Sequence, residues 1–202
     1  LVADPTQLDV YDLFGFPGGF SYGDDIASGR VFALRVRERL FPQLHAAVGR
    51  GACMIGACNG FQVMTQIGLL PGGDSAAGGA APERTIALTD NIQGRFIDRW
   101  LRIEVNAQSR CIWTQGLASV PEDAMMLPIA HGEGRFVTRS PEVMAELENR
   151  GQIALRYSET DNINGSQGRV AGICDPTGRV FALMPHPERY LEWANHPFST
   201  SL

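Results

Sequence analysis

The chain has no run of about 18 apolar residues, so no segment reads as a membrane-spanning helix. It has no excess of positive charge either. Seventeen basic residues stand against 22 acidic ones, a net charge of −5, with no basic run and no interleaving of basic and aromatic residues. That balance argues against nucleic acid as a partner. Cysteine is sparse, at four in 202 residues, and none shows paired C-x-x-C spacing or lies in a His–Cys cluster. Zinc and disulfide frameworks are therefore not expected, and no metal site is assigned. No P-loop or kinase-type phosphate motif is present, so the chain is expected to hold no cofactor of its own. What is there is a chain 44% hydrophobic, long enough to bury one sizeable core. It reads as a single domain over residues 1–202 with the composition of a cytoplasmic enzyme.

Strands and helices alternate, which predicts an α/β domain with a mostly parallel sheet flanked by helices. Val10 to Phe16 reads as a strand, Ile26 to Val48 as a helix with basic residues outward, and Ala52 to Ile55 as a buried strand. The small residues of 72–82 read as a surface loop. A β-rich stretch follows, with strands at Arg84–Leu88, Arg95–Val105, Cys111–Thr114 and Met125–Ile129. Pro141 to Arg150 reads as a helix, and Ile153–Arg156 and Val180–Met184 as strands. Cys53, Cys111 and Cys174 lie in apolar runs and read as core residues. Asn164-Gly165 reads as a turn, and the glycosylation sequon it opens as accidental.

The most informative stretch is Gly56-Ala57-Cys58-Asn59-Gly60-Phe61-Gln62. A cysteine framed by glycines, after an apolar run and before a helical pattern (Phe61, Met64, Ile67, Leu70), is a strand-to-helix nucleophile turn. Cys58 at a helix N-terminus meets unpaired amides and a dipole that favour its thiolate. The amide of Asn59 points the same way and suits a developing oxyanion. Far downstream, Met184-Pro185-His186-Pro187-Glu188-Arg189 follows a second apolar run. In an extended segment residues two apart share a side, so Glu188 can reach the far nitrogen of His186 while the near one faces Cys58. A third piece, Phe16-Pro17-Gly18-Gly19-Phe20, ends a strand with bare amides and suits a second oxyanion donor, although turn chemistry alone also explains it. His131-Gly132-Glu133-Gly134-Arg135 mimics a second base–acid pair, but its order in the chain fits less well than 186–188.

The strings PGGFSYGDD, GACNGFQ, GLLPG, HGEGRF, NxNGS and MPHPER, in that order, resemble the class I (triad) glutamine amidotransferases. More narrowly they are similar to the glutaminase component of phosphoribosylformylglycinamidine synthase, over about residues 10 to 190. The resemblance implies a flavodoxin-like fold. It implies Cys58 as nucleophile, His186 as base, Glu188 as its partner, and Gly19 and Asn59 as oxyanion amides. Gln62 would help hold the substrate L-glutamine, with Gly18, His131 and Arg135 at the same pocket or, for the 131–135 loop, at the synthase partner. ATP and Mg²⁺ would be used by a synthetase subunit or domain that receives the ammonia. Two departures stand out. The family has Asn-Pro-Asn-Gly-Ser where this chain has Asn162-Ile163-Asn164-Gly165-Ser166, which loosens a turn without removing a chemical group. The family also has a strand and a helix ahead of the Pro-Gly-Gly strand, so the chain is expected to lack its first βα unit and a C-terminal helix. The arginines of 35–39 and the compact spacing resemble a stand-alone subunit more than a fused synthase. The competing readings are a γ-glutamyl hydrolase-type cysteine hydrolase that works alone, and a non-catalytic interaction subunit.

Overall fold

The computed structural model describes residues 3–24, 29–72 and 84–200. Its strands are β1 (Leu13–Phe16), β2 (Cys53–Ala57), β3 (Ile86–Asp90), β4 (Ile97–Val105), β5 (Met126–His131), β6 (Glu133–Thr138), β7 (Ile153–Tyr157), β8 (Val170–Cys174) and β9 (Val180–Leu183). The helices are α1 (Arg30–Arg39), α2 (Phe41–Arg50), α3 (Asn59–Ile67) and α4 (Pro141–Asn149). Seven strands form one sheet in the order β1-β2-β9-β8-β7-β4-β5, and β3 pairs with β6 in a separate ribbon.

The α/β class holds, and the sheet divides in two. β1, β2 and β9 are parallel, with Gly56 level with Phe16 on one side and Ala182 on the other. The pairings from β9 through β8, β7 and β4 to β5 are antiparallel. Parallel neighbours need a long crossover, which 17–52 and 58–179 supply, whereas the short β8–β9 link permits only a hairpin. The sheet's far edge returns to its parallel half, since the amide of His186, just past β9, donates to Pro128 O in β5 at 2.8 Å. The C-terminal ends of β1, β2 and β9 thus meet a second wall, at the edge where ligands of parallel sheets bind.

Alternation along β2 feeds two cores. Met54 joins the buried cluster with Phe61, Met64 and Ile67 of α3, while Ile55 packs on the other face against the cluster of Leu155, Phe181 and Leu183. The glycine frame around Cys58 is a packing requirement. A methyl group on Gly56 would stand 2.4 Å from the Met64 sulfur, and one on Gly60 would stand 1.9 Å from Phe16 O. Bare glycines let α3 lie directly on β1 and β2.

Some elements differ from expectation. The helix predicted from 26 to 48 is two helices, because Pro42 in the first turn of α2 has no amide for a continuous ladder, and the chain leaves helical geometry at Leu40 (φ −122°, ψ −13°). Residues 25–28 and the loop predicted at 72–82, apart from Gly72, lie outside the described residues. Cys111–Thr114 is not a strand. Ile112–Thr114 form a 3-10 turn, with Ile112 N bonded to Gly178 O and the Trp113 indole to Arg179 O. Cys111 and Cys174 are buried, but Cys53 is only half-buried. β6 and β8 were not anticipated. β8 is buried at every position, so it lacks the alternation of a half-exposed strand.

Candidate active site

Cys58 sits where β2 turns into α3. Its backbone takes φ 49° and ψ −107°, a combination that non-glycine residues avoid. Two bonds hold it there. Its amide donates to Leu183 O at the end of β9 at 2.8 Å, and its carbonyl accepts the first helical bond from Gln62 N at 3.2 Å. The thiol is buried, 3.8 Å from Ala130 O in β5. This is the strained elbow that the glycine-framed cysteine predicts.

His186 and Glu188 come together as expected. His186 is 3% exposed, and its Nδ1 donates to Glu188 Oε1 at 2.5 Å. With Nδ1 carrying the proton, Nε2 presents a lone pair, and it has no hydrogen-bond partner within the described protein. Glu188 is 52% exposed. The Pro-Gly-Gly loop lies directly on this histidine. A methyl group on Gly18 would stand 2.8 Å from His186 Cε1, 3.2 Å from its Nδ1 and 3.6 Å from Ala57 O. Gly18 is therefore a spacer between the elbow and the imidazole. Gly19 beside it takes φ 128°, open only to glycine, with free space where a side chain would be.

Asn59 and Gln62 are buried on the first turn of α3. The Asn59 side-chain Nδ2 donates to Gln62 Oε1 at 2.9 Å, and Gln62 Nε2 donates to Glu133 O at 2.5 Å. Gln62 thus braces the elbow against the 131–135 loop. Arg135 is half-buried on β6, level with Thr89 of β3.

His131 belongs to the same chamber, with a partner other than Glu133. Its Nδ1 lies 3.0 Å from Asn91 Oδ1. The Asn91 Nδ2 donates to His131 O at 2.8 Å and Arg95 O at 2.9 Å, so its oxygen must face the ring and His131 Nδ1 must carry the proton. Nε2 is then a bare acceptor, buried and unpartnered among the described residues. Burial, then the nearby charge of His186, pull the His131 pKa down to about 4. Two imidazoles of the same tautomer therefore differ by their support. A carboxylate backs the Nδ1 of His186, whereas a neutral amide backs that of His131, which burial leaves uncharged. Gly134 makes room for the His131 ring, which a methyl group there would meet at 2.2 Å.

Three buried polar residues of this region had not been singled out as site residues. Asn91, 2% exposed, precedes an ordinary turn and carries no motif signal. Asn164, of the NxNGS string and its turn, is fully buried and donates to Gly134 O at 3.0 Å, so the sequon is closed to modification. Tyr157 ends β7 with a buried hydroxyl, and its pKa is pushed up by burial and then by the Cys58 charge. Among the described residues, no group of three or more His, Cys, Asp or Glu side chains is placed to hold a metal ion. No helix among them is long and apolar enough to cross a membrane.

A family model described as a CobB/CobQ-like glutamine amidotransferase domain matches residues 1–201. The class that fold and site define is thus the glutamine amidotransferase. Subunit PurQ of phosphoribosylformylglycinamidine synthase from Dehalococcoides mccartyi is 40% identical over 98% of this chain and 74% of its own length. The PurQ subunit of Mycobacterium bovis is also 40% identical, over 98% of this chain and 78% of its own. A chain in the structure of PurLQS from Thermotoga maritima superposes with a TM-score of 0.71 at 34% identity, covering 95% of this chain and 76% of that one. The chain belongs to the PurQ family, the glutaminase subunits of phosphoribosylformylglycinamidine synthase.

Proposed function

We propose that this chain hydrolyses L-glutamine with Cys58 as nucleophile and delivers the ammonia to a synthetase partner, which uses ATP and Mg²⁺ to convert formylglycinamide ribonucleotide to the amidine in the cytoplasm. The observation that carries this reading is the strained Cys58 elbow packed, through Gly18, against the buried His186, whose Nδ1 is held by the half-exposed Glu188.

His186 Nε2 takes the Cys58 proton, and the imidazolium is stabilised by Glu188. The thiolate attacks the side-chain carboxamide carbon. Amides of Gly19 and Asn59 receive the oxyanion, each worth roughly 3–4 kcal/mol by comparison with other oxyanion donors. His186 returns its proton to the departing nitrogen, which leaves as ammonia. Water, deprotonated by the same histidine, then hydrolyses the γ-glutamyl thioester to glutamate and restores the thiol. Gly18, Gln62, His131 and Arg135 form the glutamine side of the chamber. His131 is not a second base in this scheme, because its Nδ1 partner is neutral and its proton affinity is low.

The test is Cys58→Ala in the assembled synthase. Glutamine-dependent turnover should disappear while turnover with free ammonia persists. Retained glutamine turnover would refute Cys58 as nucleophile. Full glutaminase activity of the isolated chain would favour the stand-alone hydrolase instead.

A further inference from the structure

The segment that follows Glu188 is built around a buried histidine. His196 is 2% exposed and sits among four aromatic rings. Trp193 stacks on it at 4.5 Å and 11°, Tyr190 and Phe198 lie at 5.5 and 5.6 Å, and Trp100 stands edge-on at 6.0 Å. Trp100 comes from β4 and meets Tyr190 as well, edge to face at 5.4 Å. His196 Nδ1 accepts from Phe198 N at 3.1 Å, so the ring proton is on Nε2, which finds no oxygen or nitrogen among the described residues. The cluster thus ties a run of 3-10 turns and loops, with no strand to hold it, to the antiparallel half of the sheet.

Glu188 needs such an anchor. It is 52% exposed, and His186 is the one hydrogen-bond partner of its side chain among the described residues. A half-exposed carboxylate gains little from one ion pair and loses side-chain freedom in making it. Its position therefore depends on the backbone. That backbone is a single turn, closed by Arg189 N to His186 O at 3.1 Å and Tyr190 N to Pro187 O at 3.0 Å. The residue that ends the turn is Tyr190, a member of the cluster.

We infer that the aromatic cluster of Trp100, Tyr190, Trp193, His196 and Phe198 is a positioning device for Glu188, fixing the 187–190 turn so that the carboxylate stays on His186 Nδ1. The inference rests on the reading of His186 and Glu188 as base and orienting acid. Each of the five is a positioning residue that acts through Glu188.

The experiment is a double-mutant cycle on the full-length chain in its assembled complex. His196→Leu is made in the native background and in Glu188→Gln. In the native background it should lower glutamine-dependent kcat/KM by about 10-fold, mostly in kcat, and leave ammonia-dependent turnover unchanged. In the Glu188→Gln background it should cost less than about 2-fold, because the carboxylate it positions is gone. Equal losses in both backgrounds, or no loss in either, overturn the proposal. If His196→Leu does not fold, Trp193→Leu replaces it. The second readout needs no turnover: the downfield proton resonance of His186 Nδ1–H should shift or broaden when the cluster is cut. An unchanged resonance overturns the proposal, whereas loss of glutamine turnover in the unmutated protein would refute the glutaminase reading alone.

Discussion

Gly18→Ala isolates the geometry of the site from its chemistry. The new methyl group would be 2.8 Å from His186 Cε1, about 0.7 Å inside the roughly 3.5 Å at which carbon atoms rest against each other. The backbone offers no obstacle, because Gly18, unlike Gly19, is not among the residues with positive φ. The strain must then fall on side chains. His186 is 3% exposed and held to Glu188 at 2.5 Å, so the ring has little free space and moves only by lengthening that bond or tilting its Nε2 edge. Catalytic groups tolerate about 0.5 Å of displacement, and errors near 1 Å cost on the order of 100-fold in rate. Gly18→Ala should therefore lower glutamine-dependent kcat/KM by about 10- to 100-fold. Its global stability should fall by no more than the roughly 1–3 kcal/mol of a mild overpacking. The assay is the assembled synthase, run with glutamine and then with ammonia, beside a urea titration. Glutamine turnover within about 2-fold of the native protein would refute the argument that Gly18 spaces the imidazole from the elbow.

The other substitutions test separate links. Gly60→Ala improves helix propensity by about 1 kcal/mol, yet its methyl group would stand 1.9 Å from a backbone oxygen of β1, so the protein should be destabilised by more than about 3 kcal/mol or accumulate insoluble. A melting temperature near that of the native protein would contradict this packing. Glu188→Gln should slow glutamine turnover less than His186→Ala does, since an orienting group contributes less than the base; parallel kinetics of the two variants decide it. His131 binds its proton more weakly folded than unfolded, so stability should be unaffected above pH 6.5 and decline as pH falls toward 4, by about 3 kcal/mol in all. Urea midpoints across that range should show this decline in the native protein and its reduction in His131→Gln; identical profiles would contradict the buried neutral imidazole.

The pieces of the candidate site were legible in the sequence because each needs a local pattern. The strained turn demanded glycines at 56 and 60, and the His-Pro-Glu run announced its pair by spacing alone. The supports were not legible. Asn91 lies 40 residues from the imidazole it clamps, and nothing about an asparagine before a turn distinguishes it from any other. Gln62 also braces Glu133 O, a contact 71 residues away that only the tertiary fold brings about. The antiparallel half escaped for a related reason. β8 is buried on both faces and reads as an undivided apolar run, while one of the two buried positions of β6 is a glycine, Gly134, so neither shows the clean apolar alternation that marks a strand.

The central claim is that Cys58, alone among four cysteines, is the nucleophile for a γ-glutamyl group. It is tested most directly by exposing the protein to a glutamine-mimicking electrophile and mapping the adduct by mass spectrometry. The account predicts one adduct, on Cys58, blocked by excess glutamine and greatly slowed in His186→Ala. Labelling of Cys53 instead, or labelling of Cys58 that glutamine does not prevent, would contradict it.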